Sequence, residues 1–232
     1  MKHSLTGVAM KQVNTVIAIA TLGLGIGGCV LGVTKVDVAH SPLSGEMTKR
    51  EGTVLVKQFS DGRQPGHREH IGNKRNGFGM VLGHIGTQDG VNLQALLTRY
   101  FVEALGHAGY NAVLQPSASG TSDVVFDAVL EGEIKKFWLD LYLMTWHNVD
   151  VMLRLKDRPE THVLWERDIR GAKVNALWIG VSAEYERVIR QALDVALDQA
   201  VKEFSSTEFQ DAVKRAGAPP GGAASTEPPF AR

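Results

Sequence analysis

Apolar and polar residues alternate with period two over three stretches of this chain. From Val124 the even positions Val124, Phe126, Ala128, Leu130 and Ile134 are apolar, and Asp127, Glu131, Glu133 and Lys135 lie between them. Val149, Val151, Leu153 and Leu155 alternate with Asp150, Met152, Arg154 and Lys156, and Val163, Trp165 and Ile169 with Glu166, Asp168 and Arg170. Period two puts one face in a core and the other in water. With the turn sequence Asp157-Arg158-Pro159-Glu160 between the last two, the three stretches read as an antiparallel meander, which Gly171 to Gly180 leaves. Between the first two lies Phe137 to Trp146, FWLDLYLMTW, with a single charge. One strand from Val124 to Trp146 would be unusually long, so a break is expected near Lys136 or Asp140.

Helical spacing governs two further stretches. Leu93, Leu96, Leu97, Phe101, Ala104 and Leu105 fall on one face of a helix over 92–108, with Asp89 or Asn92 as its cap and Gly106 and Gly109 near its end. Tyr185, Val188, Ile189, Ala192, Ala196, Ala200 and Phe204 form the stripe of a second, capped by Ser182. Thr207 with Gln210 is a capping-box pattern for a short last helix to Lys214. Thr53 to Phe59 reads as a buried strand ending at the turn Ser60-Asp61-Gly62, and Met80–Ile85 and Tyr110–Leu114 as short strands. These elements predict an α+β fold: a mixed or antiparallel sheet containing the three-strand meander, packed by two main helices on one face.

The N-terminus changes the picture. Lys2 and Lys11 precede an apolar run from Val16 to Ile26, and Gly27 and Gly28 lead into Cys29. A basic flank, a short apolar run and small residues before a cut form a secretory signal. The run is too short to span a hydrocarbon core, which needs about 20 residues. The expected organisation is a signal peptide over 1–28, a tether over 29–52 in which Val36 and Val38, alternating with Asp37, could add a short edge strand, one domain over 53–215, and a disordered Ala/Gly/Pro-rich tail over 216–232. Removing 1–28 takes away two lysines and no acid from a chain with 25 of each sign, leaving net −2. That balance argues against nucleic acid as a partner.

Chemistry is sparse in what remains. The loop from Asp61 to Asn76 carries Arg63, Arg68, Lys74 and Arg75, with His67 and His70. Arg63, Lys74 and Arg75 are candidates for an anionic ligand or partner, against the plainer alternative of a solvated loop. The two histidines lack the further ligands of a metal set, so no metal is expected. Gly77, Gly79 and Gly83 do not have the dinucleotide spacing. Trp138, Tyr142 and Trp146 are candidates for an apolar contact surface with membrane or partner, the alternative being burial in a hairpin. No Gly-x-Ser-x-Gly turn or zinc signature is present, so no catalytic residue and no cofactor is assigned. An envelope hydrolase built on Ser60, Asp61 and His67 has only a thin basis.

Ile26-Gly27-Gly28-Cys29 resembles the lipobox of bacterial lipoproteins. That resemblance implies diacylglyceryl transfer to the Cys29 thiol, and Val30 in place of Asp implies the outer membrane. Cys29 is the only cysteine, so no intramolecular disulfide competes for it. The further order of features is VLVKQFSDGR, IGNKRNGFG, a helix ending LGHAGYNAV, a meander and an alanine-striped helix. It resembles the YajG-type family of outer-membrane lipoproteins over roughly residues 29–213. The resemblance implies a lipid-anchored, periplasm-facing protein without an established enzyme activity. It fits a non-enzymatic binding or envelope-assembly module with a membrane and an envelope protein as partners, or alternatively a structural homo-oligomer.

Overall fold

The computed structural model describes residues 32–44, 48–76, 78–115, 125–176 and 181–218. The signal segment, Cys29, the 117–122 turn, Val124 and most of the expected tail lie outside the described residues.

The meander is the frame. It consists of β7 (Ala128–Tyr142), β8 (Met144–Lys156) and β9 (Val163–Ala176), antiparallel throughout. On the other edge of β7 lie six short strands, three paired to it in parallel and three joined to it indirectly. β2 (Thr53–Val56) pairs the start of β7, β3 (Ser60–Asp61) its middle and β4 (Gly72–Arg75) its end. β5 (Val81–Thr87) is antiparallel to β4, β1 (Gly32–Val36) parallel to β5, and β6 (Asn111–Leu114) parallel to β2. The helices α1 (Leu93–His107), α2 (Ser182–Phe204) and α3 (Thr207–Gly217) pack on the sheet. One core joins them, with Phe101, Phe137, Phe204 and Phe209 fully buried.

The expected break in the long strand is a β-bulge. Ile134 pairs with Val151 and Lys136 with Asp150, leaving Lys135 as the extra residue. Before the bulge Leu130 and Ile134 point into the core; after it Phe137, Leu139 and Leu141 do. One inserted residue moves the inward set from even to odd positions, so the strand continues to Tyr142 without interruption at Asp140.

Close contacts explain several glycines. A Cβ at Gly171 would lie 2.0 Å from the Ala192 carbonyl oxygen, and its absence lets α2 settle onto β9. A Cβ at Gly132 would meet the Phe59 ring at 2.5 Å, a ring that also packs 5.3 Å from Phe101 of α1.

Four expectations are corrected. The described part of residues 29–52 is docked on the domain rather than a tether outside it: β1 is the short edge strand allowed near Val36, Val36 and Val38 are in the core, and Ser41 bonds the Asp194 carboxylate through both its N–H and its hydroxyl. The 61–76 loop contains β4, a polar strand held on both sides by β5 and β7. β9 continues through Gly171 to Ala176, because β8 still offers it a pairing edge. α3 ends at Gly217 with Ala216 buried, so the domain passes residue 215. Two caps also move. Asn92 caps α1 as expected, but Val181 precedes α2 without a side-chain bond, and Ser206 rather than Thr207 caps α3.

Candidate functional site

The sequence candidates separate into two groups. Arg63 is 4% exposed and inward-bound: its Nε and Nη2 donate to the Asp61 carboxylate at 2.9 and 2.8 Å, and Nη1 to the His70 carbonyl at 3.3 Å. Burial opposes the charge on Asp61, yet the Arg63 guanidinium and backbone N–H hold its carboxyl below the ordinary range. This pair braces the loop. Lys74 is also buried; its ammonium donates to Thr34 Oγ1 at 2.8 Å, across β5. Trp138 is covered by the His67 ring, stacked at 3.8 Å, while His70 stacks on His84 at 4.2 Å. The two loop histidines therefore face different partners, and among the described residues no group of three or more metal-ligating side chains occurs.

Arg75, Tyr142 and Trp146 are brought together at one end of the sheet. The register places them. Lys74 lies across from Leu141, Arg75 from Val81, Gly83 from Gly32, and Tyr142 from Met144, which lies across from Ala176. The β4–β5 connection, the tip of the β7–β8 hairpin, the end of β9 and the start of β1 thus share one rim. Arg75 is half-buried, donating to Asp140 Oδ1 at 2.9 Å and to the Gly79 carbonyl at 3.1 Å. Beyond that ion pair and the buried Lys74, the rim is uncharged among the described residues. From Asn76 to Gly83, Leu141 to Trp146 and Val174 to Ala176 no residue carries a formal charge.

Sequence reasoning missed the residues that stand furthest out. Phe78 is 90% exposed, Leu143 74% and Met80 59%; Val81, Met144 and Val174 are exposed as well. The signal was present in the glycine-flanked Phe78 and in the apolar residues at a hairpin tip, but only the register shows that they share an edge. Tyr142 and Trp146 are half-buried on the outer face behind them.

The same outer face changes character along the strands. Away from the rim it is a lattice of ion pairs: Lys156 to Glu131 at 2.7 Å, Lys135 to Glu133 at 2.8 Å, Arg154 to Glu166 at 2.6 Å and Arg170 to Asp168 at 3.2 Å, with Lys57 bridging Glu131 and Glu160. Burial works against Glu131, but Lys156 and Lys57 keep its carboxyl below the usual range. Such exposed pairs add little stability, about 0–1 kcal/mol each. They mark this end as a water-facing surface. The outer edge of β9 is also occupied: the Gln199 side chain accepts from the Arg170 N–H at 2.8 Å and donates to the Asp168 carbonyl at 3.4 Å. It fills the place of a neighbouring strand there.

The fold is a curled mixed sheet carrying three helices. Protein XCC0632 from Xanthomonas campestris, of family DUF330, shares it: TM-score 0.51 at 15% identity, over 79% of this chain and 97% of that one. More distant likenesses include lipoprotein GNA1162 from Neisseria meningitidis, with TM-score 0.37 at 13% identity over 66% of this chain and 99% of that one. A neuraminyllactose-binding hemagglutinin homologue from Helicobacter pylori gives TM-score 0.43 at 12% identity over 76% of this chain and 98% of that one. No family model and no curated protein sequence matches the chain.

Proposed function

We propose that this chain is a bacterial envelope lipoprotein, acylated on Cys29, held at the outer membrane and facing the periplasm, where it acts as a non-enzymatic binding or assembly module. The observation that supports this most is the sequence Ile26-Gly27-Gly28-Cys29 placed three residues before the first strand of a folded domain. Acylation there uses the single thiol of the chain, and three acyl chains hold a protein to a bilayer far more firmly than one. Val30 after the cysteine favours the outer membrane, and the YajG-type resemblance points the same way. The binding surface in this reading is the uncharged end of the sheet, with Arg75, Tyr142 and Trp146 beside it.

Fixing the domain at a surface raises its effective concentration for whatever shares that surface, so weak contacts suffice. The reading is tested by comparing the full chain with C29A in the bacterium. The parent is expected in the outer-membrane fraction with the mass of a cleaved, acylated chain. C29A is expected to lose the acyl mass and leave that fraction. A C29A chain that stays membrane-bound at the same level overturns the anchor.

A further inference from the structure

We propose that the uncharged rim of the sheet is a membrane-seating surface: the domain rests edge-on against the bilayer to which Cys29 is attached, with Phe78, Met80, Leu143 and Met144 in contact with lipid. The proposal rests on the anchor reading above and adds an orientation to it.

The first argument is reach. β1 starts at Gly32, three residues after Cys29, and so few residues span at most about 11 Å. β1 runs parallel to β5 with Gly32 across from Gly83, so the chain enters the sheet at the end that carries the two exposed tips. An acyl group in the bilayer on so short a leash brings that end, and not the opposite one, to the lipid surface. Six strands make up this rim from β1 to β9, in the order β1-β5-β4-β7-β8-β9. At about 4.8 Å per strand this is a footprint roughly 24 Å wide.

The second argument is chemistry. The side chains that project from the rim are those an acyl–headgroup boundary accepts: phenylalanine, methionine, leucine and valine outermost, with Tyr142 and Trp146 set back by one or two residues. Aromatic residues with a polar atom favour that boundary, and shallow apolar insertion to about 5–10 Å is enough to hold a surface-bound protein. The outer face then passes from Met144 and Trp146 through Asn148 to Asp150, Arg154 and Lys156, so its ion-paired part points away from the lipid. Leu143 adds a third observation. It has φ +56°, a conformation that glycine or asparagine adopts at less cost, yet the position holds a large apolar side chain in the open.

The test uses the acylated full chain, purified from bacterial membranes and reconstituted into phosphatidylethanolamine–phosphatidylglycerol vesicles with or without brominated acyl chains. Single L143C, M80C and V163C variants each carry one free thiol for a fluorescent label, because Cys29 is consumed by lipid. Val163 is exposed at the far end of β9. Labels at 143 and 80 are expected to lose at least half their emission in brominated vesicles, and the label at 163 almost none. In a V174C chain, adding F78E and L143E is expected to abolish quenching while the chain stays acylated and vesicle-bound. Equal quenching at 143 and 163, or none at 143, overturns the seating. So does a label at 143 that bromolipid leaves unquenched but that self-quenches between copies, since a second copy then covers the rim. Intact mass reads the anchor separately: a chain without acyl mass overturns both readings, whereas an acylated, bound chain unquenched at 143 overturns the seating alone.

Discussion

At the scale of single residues, two side chains sit where folding alone would not put them. Leu143 adopts φ +56° at the hairpin tip, a left-handed conformation costing a branched-chain residue roughly 1 kcal/mol. L143G is therefore expected to raise unfolding free energy by about 1 kcal/mol in urea titrations, while weakening contact with vesicles. A glycine that stabilises nothing would show that the turn carries no strain. His147 is fully buried on the inner face of β8, edge-on to Phe137 at 4.6 Å, with neither ring nitrogen in good hydrogen-bond geometry to any described residue. Burial lowers its pKa to about 3, a marginal approach of the Trp138 backbone opposing only weakly. The folded state thus resists a proton that the unfolded chain accepts near 6.5. Stability from the neutral ring is complete above pH 6.5 and is lost progressively as pH falls toward 3. Between pH 7 and pH 5 the loss amounts to about 2 kcal/mol, since one pKa unit corresponds to about 1.4 kcal/mol. Urea unfolding at the two pH values should show a difference in the parent that shrinks by about 2 kcal/mol in H147L, where His70, its pKa also lowered by burial and by His84, still contributes in the same direction.

At the scale of elements, period-two and period-3.6 patterns made most of the fold legible. The inner stripe of α2 is buried at every position read from the sequence, from Tyr185 to Phe204. What the pattern concealed has identifiable causes. β4 is Gly-Asn-Lys-Arg, with no apolar alternation, and it is a strand because β5 and β7 satisfy its backbone from both sides. Gly72 fits there because a Cβ would stand 2.2 Å from the Leu139 carbonyl oxygen. The bulge at Lys135 reverses the phase of β7, which a fixed alternation cannot follow. Gly171 looked like an exit from the sheet, yet it is the point where α2 presses on β9. Of the surface candidates, Arg75, Tyr142 and Trp146 do converge, but Arg63 and Lys74 are held inward by partners that no linear spacing reveals. Gly171 offers a direct check on the helix–sheet contact. G171A gains about 0.4–1 kcal/mol through the unfolded chain, but its Cβ meets backbone, which cannot rotate away. Overpacking of this kind costs about 1–3 kcal/mol, so a net loss in denaturant midpoint is expected. An unchanged or higher midpoint would mean that α2 is not seated as closely on β9.

At the scale of the whole molecule, the proposed acyl anchor on Cys29 would make the distance to the first strand decide how the domain meets the membrane. Only Val30 and Leu31 separate Cys29 from Gly32, too few for an anchored domain to turn over or stand clear. Contact at the rim need not be strong under that restraint: a few partly inserted apolar side chains, at about 0.8 kcal/mol per buried CH₂, act on a domain already at the surface. Lengthening the leash separates the two contributions. Twelve Gly/Ser residues inserted between Val30 and Leu31 leave the lipobox and Val30 intact but extend the path from Cys29 to Gly32 from three Cα–Cα steps to fifteen. Effective concentration falls as roughly the −3/2 power of linker length, so the ratio of seated to unseated domain should drop about tenfold. Modification of L143C by a water-soluble maleimide, slow in the parent on vesicles, should quicken correspondingly, up to the rate for the unseated domain. V163C, at the far end of the sheet, should react at one rate in both chains. If the rate at 143 is unchanged by the insertion, the short leash contributes nothing to orientation, and the rim alone, or a protein partner, must hold the domain in place.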